Sequence, residues 1–208
     1  DAQESRGLGD VYKRQVLYLM RHGETLFNVQ GKIQGWCDSP LTTNGIKQAK
    51  AAAAYYEREG IKFDAACCST AERASDTLEL ITSLPYARLK GIREVGFGTF
   101  EGEHEYLHPS REQRHAGYYK QFGGEDENEV RERVVKTLLE VMNKDGNNTV
   151  LAVSHAGACA NFLSAWQDPE PILKKHRIPN CGIFKYDFDT ESQRFFLEDV
   201  IDPVHMEE

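Results

Sequence analysis

The sequence is organised around one short stretch, Leu17-Tyr18-Leu19-Met20-Arg21-His22-Gly23-Glu24-Thr25. Its apolar part, residues 16–20, ends abruptly in Arg-His-Gly. An apolar run of this length closed by a glycine is typical of a buried strand that ends in a tight turn. We therefore expect Arg21 and His22 at the carboxyl edge of a sheet, where open α/β sheets bind ligands. The arginine favours an anionic substrate, although the pair could also simply cap the strand.

The composition limits the classes of protein that the chain can be. Its 208 residues suit one domain, and a hydrophobic fraction of 40% is enough for a sizeable core. A net charge of -8 argues against a nucleic-acid or anionic-membrane partner. Five cysteines without a C-x-x-C pair favour cytoplasmic thiols over a disulfide framework or a zinc site. We expect no membrane span and no signal peptide, and the oligomeric state stays open.

The N-terminal segment is set apart from the rest of the chain. Residues 1–15 show no convincing periodicity, and residues 7–15 resemble translated sequencing adaptor. We interpret residues 1–15 as a non-native N-terminal scar and exclude them from fold reasoning. Residues 16–208 are then expected to form a single domain.

Strand and helix patterns alternate after the first strand. Residues 27–43 predict a loop, and residues 63–68 predict a second buried strand. A helix that ends at Gly60 is predicted between them, because four residues fall at helical spacing, namely Ile46, Ala49, Ala53 and Tyr56. Ser69 and Glu72 match a capping box, which puts Arg73 in the first turn of a helix ending before Pro85.

The second half of the chain continues the alternation. Residues 103–124 are polar and aromatic and predict a loosely helical cap. A clear helix over residues 125–144 follows, with one apolar face made by Val130, Val134, Leu138 and Val141. A strand over residues 149–153 ends in Ser154-His155, and residues 184–200 predict an edge hairpin. The pattern predicts a three-layer α/β/α fold with a mostly parallel central sheet.

Basic or titratable groups follow three of the predicted strands, namely Arg21 with His22, Arg73, and His155, and a short loop adds Glu94. Such a set suits a phosphoryl group, whose transfer needs positioning and charge stabilisation by arginines and a protonated His155. A ring nitrogen of His22 would attack phosphorus. Glu94 would protonate the leaving oxygen and then activate the water that cleaves the phosphohistidine. No metal or other cofactor is expected, because the arginines supply the positive charge.

These residues carry a resemblance to a known family, the histidine phosphatase superfamily, also called phosphoglycerate-mutase-like. The matching motifs, in chain order, are Arg21-His22-Gly23-Glu24-Thr25, Asn28, Gln34-Gly35-Trp36-x-Asp38-Ser39-Pro40-Leu41-Thr42, Ser69-Thr70-x-x-Arg73-Ala74, Arg93-Glu94-x-x-Phe97-Gly98-x-Phe100-Glu101-Gly102, Gly123-Gly124-Glu125 and Ser154-His155-Ala156-Gly157. They span essentially residues 16–200, and the ordered set is highly specific.

The resemblance implies a role for each matched position. His22 is the phosphorylated nucleophile and Glu94 is the proton donor. The residues implied to line the phosphate and substrate pocket are Arg21, Asn28, Arg73, His155, Gln34, Gly35 (through its backbone) and Ala156. The family's longer mutases carry a larger insertion than residues 103–124, so the compact cap favours a phosphatase acting on a small phosphomonoester. Mutase-type phosphoryl transfer and a catalytically weak phospho-ligand-binding protein are the alternatives.

Several residues also have a second interpretation. Glu101 could replace Glu94 as the acid, Arg73 could be an exposed helix residue, and His155 could be a core histidine. Three cap histidines could suggest a metal, although their spacing favours solvent or substrate contacts; they are His104, His108 and His115. Cys67 stands in a C-x5-R relation to Arg73, the skeleton of a cysteine-dependent phosphatase.

Overall fold

The structure, a computed structural model, describes residues 14–206 of the chain. The segment interpreted as a non-native scar lies outside the described residues except for its last two positions. Gln15 begins the first strand, and Arg14 forms an ion pair with Asp187 at 2.5 Å. The interpretation of the segment therefore stays a prediction.

A six-stranded sheet forms the centre of the described chain, with the strand order β3-β2-β4-β1-β5-β6. The strands are β1 (Gln15–Arg21), β2 (Ala65–Cys68), β3 (Tyr86–Arg88), β4 (Thr149–Ser154), β5 (Ile183–Asp189) and β6 (Arg194–Ile201). Strands β1 to β4 pair in parallel, whereas β5 and β6 form the predicted antiparallel hairpin at the edge. The predicted mostly parallel sheet is confirmed.

Helices connect the strands and cover both faces of the sheet. Their bounds are α1 (Leu26–Gln30), α2 (Thr43–Arg58), α3 (Glu72–Glu79), α4 (Arg111–His115), α5 (Glu127–Met142), α6 (Ala156–Ser164) and α7 (Glu170–His176). The segment 103–124 contains α4 between two short 3₁₀ helices, Glu105–Leu107 and Tyr118–Phe122. No helix within residues 14–206 is long and apolar enough to cross a membrane.

The core consists of two layers separated by the sheet, because successive strand residues point to opposite faces. Leu17 and Leu19 of β1 pack with α5 and α6 on one face. Tyr18 and Met20 pack with α2 and α3 on the other face. This arrangement is the predicted three-layer α/β/α fold. It also explains the nearly continuous apolar run of β1, which is buried on both sides.

Three local predictions were wrong. Residues 26–30 form α1 instead of loop, because Thr25 and Asn28 make a capping box. Ile46 is exposed, because the buried face of α2 is centred on Ala49, Ala52 and Tyr56. The predicted capping box at Ser69 does not form, since α3 begins at Glu72 and its N-cap residue makes no side-chain hydrogen bond.

Candidate active site

The carboxyl ends of three parallel strands bring the predicted residues to one edge of the sheet. In the strand register, Arg21 of β1 lies opposite Ser154 of β4, and Cys68 of β2 lies opposite Val153. The His22 amide continues the ladder by donating to the Ser154 carbonyl at 3.0 Å. The residues that follow these strands therefore converge on one site.

His22 is buried and held in one orientation. It is 3% exposed, and its Nδ1 lies 2.7 Å from the Gly23 carbonyl, to which it donates. This bond fixes the proton on Nδ1 and leaves Nε2 unprotonated. Nε2 accepts from Nε of Arg73 at 3.3 Å. Burial, followed by the charges of Arg73 and Arg21, lowers the pKa of His22 well below its usual value, so the ring is neutral.

Gly23 permits the tight turn that aims His22. A Cβ at this position would lie 2.6 Å from the Gly45 carbonyl oxygen, which no side chain tolerates. The Gly23 amide donates to Oγ1 of Thr77, and that hydroxyl donates to the Arg73 carbonyl at 2.7 Å. The histidine turn and the first turn of α3 are thus joined by Thr77.

Arg73 is a buried cation and not an exposed helix residue. It is 0% exposed and lies in the first turn of α3, as predicted. Its guanidinium donates to Oδ1 of Asp38 at 3.0 Å and to the carbonyl oxygens of Gly35 and Cys37, both at 2.8 Å. Oδ2 of Asp38 accepts the Glu72 amide at 2.6 Å. Asp38 therefore supplies the helix cap that the sequence assigned to Ser69.

His155 is also buried, but its protonation state differs from the prediction. Its Nε2 lies 2.6 Å from Oγ of Ser69, and its buried Nδ1 has no hydrogen-bond partner. Burial, and then the charge of Arg73, lowers the pKa of His155 well below its usual value. The ring is therefore neutral in this site, whereas a protonated imidazole was predicted to bind the phosphate. Its ring centroid lies 5.3 Å from that of His22.

Glu94 lies against the N-terminus of α6. Its two carboxyl oxygens accept from the amides of Gly157 and Ala158, both at 2.9 Å, and from its neighbour Val95 at 2.8 Å. The side chain of Glu94 reaches these amides because residue 157 is a glycine, since a Cβ there would lie 2.4 Å from Oε1 of Glu94. The carboxyl group of Glu94 is therefore fixed at the start of α6 by three backbone amides.

Glu101, the alternative acid, has a different environment. Its carboxylate accepts from the amides of Gly35, Trp36 and Cys37 at 2.8–3.2 Å and from that of Phe97 at 3.1 Å. Glu101 thus stabilises the loop after α1. The Gly35 amide, predicted to contact phosphate, is already bonded to this carboxylate, while the Gly35 carbonyl accepts from Arg73.

The three other predicted side chains, those of Arg21, Asn28 and Gln34, are held by hydrogen bonds to neighbouring loops. Arg21 donates from Nη1 to the Ile178 carbonyl at 2.6 Å and leaves its buried Nε without a partner. Asn28 accepts from the Thr25 amide and from Nδ2 of Asn180. Gln34 exchanges hydrogen bonds with Thr25 and accepts from Ser39 at 2.5 Å.

A cavity of about 440 Å³ opens over this edge of the sheet. Its wall includes six predicted site residues, Arg21, His22, Asn28, Gln34, Glu94 and Ala156. Gly35 and His155 face a neighbouring cavity that also touches Glu94, and the buried Arg73 lies beside Nε2 of His22 without lining either cavity. The cap contributes Glu105, His108, Arg114 and Tyr119 to the first cavity.

Cys67 and the cap histidines do not form the alternative sites. Cys67 lies on β2 within the core, and burial raises the pKa of its thiol to about 12, so it is not a nucleophilic thiolate. Of the three cap histidines only His108 faces the cavity, where it contacts Tyr119. Within residues 14–206, no group of three or more His, Cys, Asp or Glu side chains could hold a metal ion.

Several supporting residues were missed from sequence alone. Asp38 holds Arg73, Asn180 bonds both Asn28 and the His22 carbonyl, and Arg133 bonds the Glu94 carbonyl. Asp38 lay within a recognised motif, but only its distance to Arg73 reveals its role. Arg133 lies outside the apolar face of its predicted helix, and Asn180 lies in a loop. Neither position has a sequence pattern that predicts its contacts.

Comparison with known proteins agrees with this geometry. Residues 17–199 match the histidine phosphatase superfamily (branch 1). The chain therefore belongs to that superfamily, which confirms both the resemblance noted in the sequence and the predicted enzyme class.

Its relatives include named phosphatases. The chain is 29% identical over 181 residues to an uncharacterized phosphatase, PhoE, of Bacillus subtilis, with 85% of this chain and 90% of the relative covered. It is 31% identical over 161 residues to the adenosylcobalamin/alpha-ribazole phosphatase of Escherichia coli, with 71% of this chain and 77% of the relative covered. The structure of phosphoserine phosphatase from Entamoeba histolytica with 3-phosphoglyceric acid superposes with a TM-score of 0.74 at 28% identity. The superposition covers 89% of this chain and 96% of that chain.

Proposed function

We propose that the protein is a metal-independent phosphatase that hydrolyses a small phosphomonoester through a phosphohistidine on His22. The observation that carries the proposal is the orientation of this ring. Nδ1 of His22 is bonded to the Gly23 carbonyl, so the unprotonated Nε2 points toward the buried guanidinium of Arg73. A neutral nucleophile beside a cation is what attack on an anionic phosphoryl group requires.

In the first step, Nε2 of His22 attacks phosphorus and the bond to the leaving oxygen breaks. Arg21 and Arg73 stabilise the charge on the transferring oxygens, with Asn28 and His155 as further hydrogen-bond donors. The buried Nε of Arg21 and Nδ1 of His155, both without partners, are suited to this role. Glu94 gives its proton to the leaving oxygen.

In the second step, water attacks the phosphohistidine. The Glu94 carboxylate takes a proton from this water, the P–N bond breaks, and inorganic phosphate leaves with His22 neutral again. Gln34 and Ala156 complete the wall of this cavity, and Gly35 lines the neighbouring cavity that also touches Glu94. The arginines supply the positive charge, so no metal takes part.

The compact cap supports hydrolysis over transfer to a second hydroxyl group. The cap residues Glu105, Arg114 and Tyr119, which line the cavity, lie in the short helical segments of residues 103–124. The substrate is a small phosphorylated molecule, as are the phosphoserine and 3-phosphoglyceric acid named for the relative from Entamoeba histolytica. A cytoplasmic location fits the five free cysteines, and a net charge of -8 fits a protein without a nucleic-acid partner.

The test is phosphate release from a panel of phosphomonoesters in the presence of EDTA, with His22→Ala as the control. We expect the wild-type protein to release phosphate and the variant to release none. Brief incubation with ³²P-labelled substrate, followed by alkaline quenching, should leave acid-labile label on wild-type protein only. Release that survives in His22→Ala would refute the mechanism, and activity that requires a bisphosphate primer would favour a mutase.

A further inference from the structure

An ion pair outside the reacting groups holds the segment that carries Glu94. Arg133 of α5 donates from Nε and Nη2 to the two carboxylate oxygens of Glu125, at 2.8 and 2.7 Å. The two side chains are only 19% and 15% exposed. Such a bidentate pair fixes the plane of the guanidinium and is stronger than an exposed ion pair.

The remaining donors of Arg133 all bind one short segment. Nη1 donates to the carbonyl oxygens of Gly91 and Arg93, at 3.0 and 2.8 Å, and Nη2 donates to that of Glu94 at 2.7 Å. On the other side of Glu94, Oε1 of Glu125 accepts the Gly96 amide at 2.9 Å. The ion pair therefore binds the main chain before, at and after Glu94.

Glu94 is thus anchored at both ends. Its carboxyl group is held by the first turn of α6, and its main chain is held by Arg133 and by Nε1 of Trp36 at 3.0 Å. Arg133 does not line the cavity, so it does not touch a substrate there. Its influence on the reaction passes through the position of Glu94.

We propose that Arg133, oriented by Glu125, is a positioning residue for proton transfer by Glu94. This inference rests on the proposed function and names the step that depends on the ion pair. Loss of Arg133 lets the main chain at Glu94 shift, so the carboxyl group no longer meets the leaving oxygen. The placement of His22 is unaffected, because its ring and amide are bonded to the carbonyl oxygens of Gly23 and Ser154 and not to Arg133 or Glu125.

The consequence is a dependence on the leaving group. An aryl phosphate such as p-nitrophenyl phosphate releases a stable phenolate and has little need of a proton. An alkyl phosphate releases a strongly basic alkoxide and depends on the acid, whose contribution is typically about 10²–10⁴-fold. The quantity to compare is kcat/KM, since it covers only the steps up to phosphorylation of His22.

The experiment measures kcat/KM of wild-type protein, Arg133→Gln, Arg133→Lys and Glu94→Gln on p-nitrophenyl phosphate and on an alkyl phosphate that wild-type protein hydrolyses. For Arg133→Gln we expect a loss of about 100-fold on the alkyl ester and less than about 3-fold on the aryl ester, the pattern of Glu94→Gln on a smaller scale. Arg133→Lys should recover part of the loss. The matched control is Arg131→Gln on the same helix, whose side chain bonds Asn128 and Ser164 within residues 14–206, and it should leave both values unchanged.

The outcomes separate this inference from the proposed function. Equal losses on both esters, in variants whose circular dichroism and melting temperature match the wild type, would overturn the positioning role. Glu125→Gln provides a second test if Arg133→Gln does not fold, and an unchanged leaving-group dependence there would also overturn it. Absence of His22-dependent phosphate release from wild-type protein would overturn both proposals.

Discussion

Replacing Gly157 with alanine would place a methyl group 2.4 Å from Oε1 of Glu94 and 2.9 Å from Cγ2 of Val95. An ordinary contact begins at 3.4 Å, so the carboxyl group must move by about 1 Å. The backbone of residue 157 does not resist the change, because its φ is not positive and it lies in the first turn of α6. The substitution therefore acts mainly on Glu94.

The expected effect on catalysis follows from this displacement. A shift of about 1 Å in a catalytic group typically costs about 100-fold in rate. We expect Gly157→Ala to lower kcat/KM on an alkyl phosphate by about that factor. The effect on the free energy of unfolding should stay within about 2 kcal/mol, since alanine's helix propensity offsets part of the lost hydrogen bonding.

A double-mutant cycle with Glu94→Ala provides the assay. Steady-state kcat/KM is measured for the wild type, both single variants and the double variant, with melting temperatures as a check on folding. If alanine at position 157 acts only by displacing Glu94, it should cost nothing further when Glu94 is already truncated. Full additivity of the two losses would refute the reasoning, as would wild-type activity in Gly157→Ala.

Three further predictions concern the other buried groups. Burial and neighbouring arginines lower the pKa of both His22 and His155, so these rings are neutral when folded but take up protons in the unfolded chain below about pH 6.5. The free energy of unfolding in urea titrations should therefore fall as the pH drops below 6.5, by up to about 1.4 kcal/mol per pH unit for each ring, and less steeply in His155→Gln. An equally steep fall in that variant would contradict this. Asp38→Ala should destabilise the fold by about 3 kcal/mol in chemical denaturation, because it leaves the fully buried Arg73 without its carboxylate, and Asp38→Asn should recover part of both stability and kcat/KM; an Asp38→Ala protein as stable as wild type would count against the ion pair. Cys67→Ala should retain wild-type kcat/KM, and its inactivation would revive the cysteine mechanism.

The sequence was sufficient for the elements whose patterns are set by burial. The doubly buried run of β1 and the apolar face of α5 follow directly from periodicity, since each side chain there packs into a core layer. The convergence of Arg21, His22 and His155 was also predictable, because parallel strands end at the same edge of a sheet.

The contacts that hold the site could not be predicted in the same way. Asp38 caps a helix that begins more than thirty residues later, so the local pattern at Ser69 gave the wrong residue. The neutral state of His155 depends on its complete burial beside Arg73, which no local sequence pattern records. Long-range geometry decided these features, whereas local propensity decided the elements.

The position of β1 within the sheet ties the chemistry to the stability of the whole domain. The amides of Arg21 and His22 donate to Gly182 and Ser154, in the chain segments on either side of β1. Hydrogen exchange at such central amides requires the sheet itself to open, whereas the short helices of residues 103–124 can exchange by local opening. Local fraying therefore does not displace His22, whereas it can displace the short helices of residues 103–124. Under mild denaturant, substrate discrimination should be lost at a lower concentration than phosphate release.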